Sequence, residues 1–114
     1  MVILVCGGRT YNNKEKIYEV LSSIHKDKTI NILIHGAAKG ADTLAGYWAR
    51  ENNIKEKQYP ALWNTHGKAA GIMRNQKMLD DNKVDLVIAF PGGKGTADMV
   101  ERAKKANIEV REIS

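Results

Sequence analysis

The chain has 114 residues, of which 43% are hydrophobic and 27% charged, with two prolines and a formal net charge of +5. That balance fits one folded domain spanning 1–114 and excludes a disordered chain or a pair of domains. The longest apolar runs, such as Val2–Cys6 and Leu86–Phe90, are strand-sized and well short of the roughly 20 residues that cross a bilayer.

No charged leader precedes Val2, so a cytoplasmic location without membrane contact is the expectation. Cys6 is the only cysteine, which removes an internal disulfide, and His25, His35 and His66 lack ligand spacing, so no metal site is expected. The positive balance favours anionic partners without naming them. Basic residues are dispersed and not interleaved with aromatics, so a nucleic-acid groove is the weaker expectation.

Taken in order, Val2–Cys6 is a continuous β-branched run ending at Gly7-Gly8, the pattern of a buried parallel strand. Lys14–His25 places Ile17, Val20, Leu21 and Ile24 at helical spacing after an asparagine cap at Asn12 or Asn13. Ile30–Ile34 is a second buried strand, and Ala41–Asn52 a helix with Leu44, Ala45 and Trp48 on one face. Glu56–Tyr59 is a weaker strand, expected at a sheet edge and stopped by Pro60. Lys68–Asp81 is helical, Val84–Phe90 is the third apolar strand, and Pro91–Gly95 is a turn. Thr96–Ala106 forms the last helix and Ile108–Ile113 a closing strand.

Strands alternating with helices of about a dozen residues predict an α/β fold. The expected form is a Rossmann-like, doubly wound three-layer sandwich with a five-stranded parallel sheet in the order 3-2-1-4-5. Ligands of such sheets bind outside the carboxyl ends of the strands, where the winding direction switches.

Three glycine-containing loops fall at those ends: Gly7-Gly8-Arg9-Thr10, Gly36-Ala37-Ala38-Lys39-Gly40-Ala41-Asp42 and Pro91-Gly92-Gly93-Lys94-Gly95-Thr96. Glycine lets backbone amides approach an anion, and a helix beginning after the loop adds its unpaired N–H groups. Any one such loop is equally well a tight turn, whereas three converging on one edge point to a site. Thr96 either caps the last helix or donates its hydroxyl to phosphate. No G-x-x-x-x-G-K-[ST] occurs, and no G-x-G-x-x-G follows the first strand, so neither an ordinary P-loop ATPase nor a nicotinamide dehydrogenase is expected.

The segments Gly7-Gly8-Arg9-Thr10-Tyr11, His35–Asp42, Tyr59–Trp63, Ala70–Met78 and Ala89–Met99 together resemble the SLOG superfamily, in its stand-alone cpYpsA-related (YspA-like) branch. The resemblance implies a bacterial or phage protein that binds or processes a nucleotide-derived ligand, such as an NAD-related or ADP-ribose-like signal. The related Lonely-Guy phosphoribohydrolases cleave the N-glycosidic bond of nucleoside monophosphates. They are similar in an arginine that Arg74 matches and in a Pro-Gly-Gly-x-Gly-Thr-x-x-Glu motif. Here Met99 stands at the position of their catalytic glutamate, with Asp98 one place earlier and about 100° around a helix. By analogy with those hydrolases a homo-oligomer is expected.

Individual residues divide between structural and functional roles. Arg74 and Arg9 carry guanidinium groups suited to phosphate, and Asn75 adjoins Arg74. Asp42 is either a first-turn acid or a ribose contact, and Asp98 a first-turn acid, a ribose contact or a general base. Trp63 stacks on a base, closes a core edge or meets a subunit. His66 is a loop residue, Cys6 a small buried hydrophobe, and Met73, Met78 and Met99 are core filler.

Three functions follow. The first is binding of a phosphate-bearing nucleotide derivative, as sensor, carrier or sequestering protein, with no cofactor. The second is hydrolysis of nucleoside monophosphates with Arg74 and Asp98 as catalytic residues. The third is single-stranded DNA binding, which the distant fold similarity to the DNA-processing protein A group implies.

Overall fold

A computed structural model describes residues 1–114. Five strands alternate with helices: β1 (Val2–Cys6), α1 (Lys14–Asp27), β2 (Ile32–His35), α2 (Ala41–Glu51) and β3 (Lys55–Gln58). A four-residue helix α3 (Trp63–His66) and a single 3-10 turn (Gly67–Ala69) lead into α4 (Ala70–Asp80), followed by β4 (Leu86–Ala89), α5 (Lys94–Lys105) and β5 (Glu109–Glu112). All pairings are parallel and the order is β3-β2-β1-β4-β5, as the alternation predicts.

The central strand β1 pairs on both sides, with Leu4 opposite Ile34 of β2 and Val87 of β4. Alternate side chains point to opposite faces. Ile3 and Val5 therefore join Ile17, Leu21 and Trp48 beneath α1 and α2, whereas Leu4 and Cys6 join Met78, Met99 and Ala103 beneath α4 and α5. Two apolar layers thus sandwich the sheet, which is why β1 and β4 are apolar throughout. The edge strands β3 and β5 read KEKQ and EVRE, and charged side chains of this kind blunt an open edge against further pairing.

The element limits shift for local reasons. The Ile30 amide donates to Nδ1 of His25 at 3.0 Å and so leaves the ladder before β2 begins. The Val2 amide donates to the Asp85 carboxylate at 2.7 Å, which occupies the first ladder position beside β4. Asn13 caps α1 by accepting from the Lys16 amide at 3.1 Å. The cap of α5 is Gly93, without a side-chain bond, so Lys94 and Gly95 belong to the helix and not to the expected turn, and Thr96 is no cap. Trp63 and His66, expected in a loop, lie on α3. Met78 and Met99 are core residues as read, but Met73 is 46% exposed and fills no core.

Candidate functional site

The chain winds outward from β1 to β3 and then returns to β4, so the loops after β1 and β4 flank the point where the winding reverses. They touch: the Gly8 amide donates to the Pro91 carbonyl at 2.9 Å. The second loop is drawn in as the Ala41 amide donates to the Gly8 carbonyl at 3.2 Å. Gly40, at φ +80°, lies against Gly8 and Arg9 so closely that a side chain would collide with their backbone. A Cβ on Gly92 would likewise meet the Gly8 nitrogen at 2.7 Å. The three loops thus interlock through their own backbones.

They enclose one cleft of about 800 Å³. Of the residues expected at the site, Gly7, Gly8, Arg9, Thr10, Gly36 and Asp42 line it, together with Arg74 and Asn75 from α4 and the whole Pro91–Thr96 loop. Ala37, Gly40 and Asp98 do not. Gly40 serves the contact between loops, and Ala37 is exposed outside the cleft. Trp63, Tyr11, Asn12 and Cys6 complete the rim and floor.

The cleft wall carries three cations, Arg9, Arg74 and Lys94, against one acid, Asp42. Arg74 reaches across from α4: its Nη1 donates to the Gly36 carbonyl at 2.5 Å and its Nε to Asn75 Oδ1 at 2.9 Å. Burial pushes the Arg74 pKa down, the like charge of Arg9 adds to this, and Asp42 opposes it. An anion placed between the two guanidiniums relieves both effects.

Asp42, only 5% exposed, accepts the Gly36 amide at 3.1 Å and the Ala38 amide at 3.2 Å, both on Oδ2. Burial raises its carboxyl pKa, while these amides and the charge of Arg74 pull the other way. Its first task is thus to shape the second loop. Oδ1 makes no hydrogen bond within the protein.

At the start of α5 the first helical amides have no intrahelical partner, and no side chain caps them. A Cβ at Gly93 or Gly95 would meet nothing within 4 Å. Unlike Gly92, these two glycines are not required by packing; they keep the wall bare where the helix dipole is most positive.

Asp98 does not face the cleft. With α5 beginning at Lys94, its carboxylate turns toward α4 and accepts Asn75 Nδ2 at 3.0 Å and Arg102 Nε at 2.9 Å. Burial would raise its pKa, but these bonds hold it below the usual carboxylate value. Met99, at the glutamate position of the hydrolases, is fully buried. Cys6 lies on the floor as a thiol, its pKa pushed up to about 12 chiefly by burial.

Sequence reasoning missed the support of the second loop. His35 is buried, and its Nδ1 accepts the Ala37 amide at 2.9 Å, which leaves Nε2 to donate to Glu56 at 2.5 Å. Glu56 also pairs with Arg50 at 3.3 Å, and Gly46 leaves the room, since a Cβ there would lie 3.0 Å from His35 Nε2. This arrangement holds Ala37 at φ +56°, a left-handed conformation unfavourable for alanine. In the β2–β3 register His35 stands opposite Gln58 and Glu56 opposite Leu33, so the pair forms diagonally across two strands and no spacing along the chain announces it.

Residues 1–66 match the family described as "YspA, cpYpsA-related SLOG family". The chain is also similar to "Gene 61 protein" of Mycobacterium phage D29, at 33% identity over 116 aligned residues that cover 95% of this chain and 92% of that protein. The chain therefore belongs to the YspA, cpYpsA-related SLOG family.

Proposed function

We propose that the cleft binds a phosphate-bearing nucleotide derivative, and that the protein acts on it as a sensor, carrier or sequestering protein. The observation that carries this is the convergence of Arg9, Arg74, Lys94 and the bare start of α5 on one cleft, opposed only by Asp42. Anions are favoured there by charge, by unpaired amides and by helix dipole together. Family membership is consistent with nucleotide-related binding or processing.

Hydrolysis is the less supported alternative. General acid–base work on a glycosidic bond needs a carboxyl within reach of the substrate. Asp98 is bonded to Asn75 and Arg102, Met99 is core, and Asp42 holds two loop amides.

Thermal shift and calorimetry with AMP, NAD and ADP-ribose test the proposal. A ligand that binds only the folded form raises the melting temperature with its concentration. Arg74→Ala is expected to lower affinity by about tenfold or more, the loss of a charge-assisted contact. Absence of any shift in a well-folded sample overturns the proposal. Chromatography of the same mixtures is expected to show intact ligand, and release of free base that Asp98→Ala abolishes would favour the hydrolase instead.

A further inference from the structure

Trp63 stands at the cleft rim with 48% of its surface in solvent. Indole is a large apolar group, and leaving so much of it in water forgoes burial that a partner would supply. Its neighbour is a cation: the Arg9 guanidinium lies 5.3 Å from the ring centroid. Arg9 extends from the loop after β1 and Trp63 opens α3, so the pair bridges the mouth from two sides. Both side chains are exposed, and a cation–π contact is weak in that setting. Tyr11, the other aromatic on the wall, is engaged with Phe90 at a centroid separation of 5.5 Å.

We infer that the Trp63 ring is the seat for a planar heteroaromatic base, which Arg9 covers until ligand arrives and then vacates to meet the anionic end of the same molecule. The exchange is favourable on both sides. Base–aromatic stacking exceeds an exposed cation–π contact, and a guanidinium gains more from a phosphate than from a ring. The seat rests on the phosphate-binding function proposed for this cleft. It adds a selectivity: nucleotides are bound in preference to sugar phosphates.

AMP and ribose 5-phosphate share the phosphorylated ribose and differ by the base, so their affinities separate the two ideas. Trp48 is buried and donates to Ser22 Oγ at 2.9 Å, which makes it a constant fluorescence background against which Trp63 reports. AMP is expected to quench Trp63 emission and to bind about tenfold tighter than ribose 5-phosphate, the equivalent of one stacked base. Trp63→Leu should abolish that advantage without weakening ribose 5-phosphate, Trp63→Phe should keep most of it, and Arg9→Ala should weaken both ligands. Equal affinities in the wild type, or equal weakening of both ligands by Trp63→Leu, would overturn the seat while leaving the phosphate site intact. Binding of neither ligand would overturn both. The half-exposed position makes the leucine variant foldable, and the phenylalanine variant carries the test if it is not.

Discussion

The side-chain amide of Asn75 donates to the Asp98 carboxylate at 3.0 Å and, with the bond from Arg102 to Gln76, ties α4 to α5. The same nitrogen reaches the Gly95 carbonyl at 3.2 Å, while Oδ1 accepts from Arg74 Nε at 2.9 Å. Asn75 is nearly fully buried, so its own amide nitrogen and oxygen would otherwise lack partners. The residue that orients the cleft arginine is therefore the residue that turns Asp98 away from the cleft.

Asn75→Ala removes three bonds at once. It is expected to cost about 2 kcal/mol of stability, within the usual range for stranding buried polar groups, and to weaken ligand binding through a misaligned Arg74. Asp98→Asn keeps an acceptor for both partners and forfeits only a partly exposed ion pair with Arg102. Denaturant unfolding should show a small loss for it, and calorimetry should show ligand affinity within about threefold of wild type. A collapse of affinity in Asp98→Asn would restore that carboxylate to the site.

Gly92 and Gly95 are expected to respond in opposite ways. Gly92→Ala drives a methyl into Thr96 and the Gly8 backbone and should destabilise the fold. Gly95→Ala meets open space in the first turn of a helix, where alanine is preferred by up to about 1 kcal/mol. Its melting temperature should be unchanged or raised, while its ligand affinity falls. An equal loss of stability in both variants would contradict the division of the loop into packed and open glycines.

Ala37→Gly should raise stability by about 1 kcal/mol, because glycine relieves the left-handed conformation at φ +56°. Its amide still bonds to His35, so the loop shape is retained. Chemical denaturation measures the gain, and a loss would show that the alanine methyl contributes more than its strain.

Acid should unfold the protein through two carboxylates. Burial alone would raise Glu56, but the bond from His35 and the charge of Arg50 bring its pKa below the ordinary 4.5. Asp98 is held below 3.8 by Arg102 and Asn75. A depressed folded value means stability that is present above the ordinary pKa and lost as pH falls through the folded one. Asp42, with a raised value, works in the opposite sense. Urea midpoints measured from about pH 6 to about pH 3 should fall for the wild type and fall less for Glu56→Gln combined with Asp98→Asn.

The sheet was legible because periodicity records burial. β1 and β4 are apolar at every position since both faces are covered, and the charged runs of β3 and β5 mark edges. The cleft was legible from glycines at strand ends and from Arg74. Three features were not. The short helix at Trp63 has no side-chain cap and no apolar stripe to announce it. The orientation of Asp98 was hidden because α5 starts at Lys94, two residues before Thr96 and behind a glycine cap without a side-chain bond, and that shift decides which side chains face α4. The His35–Glu56 pair depends on the register of β2 against β3, a tertiary fact that spacing along the chain does not carry.

The bond from the Gly8 amide to the Pro91 carbonyl bears on how the protein reaches its working form. During synthesis β1 and its loop emerge early, yet the partner that completes that loop arrives only with β4, after three crossovers have been made. Contacts so far apart along a chain form late and slow its folding. An isolated segment ending after α3 would hold two of the three loops and lack Arg74 altogether. The cleft should therefore take shape only in the last folding phase, so a nascent chain would not present the proposed site before the domain is whole.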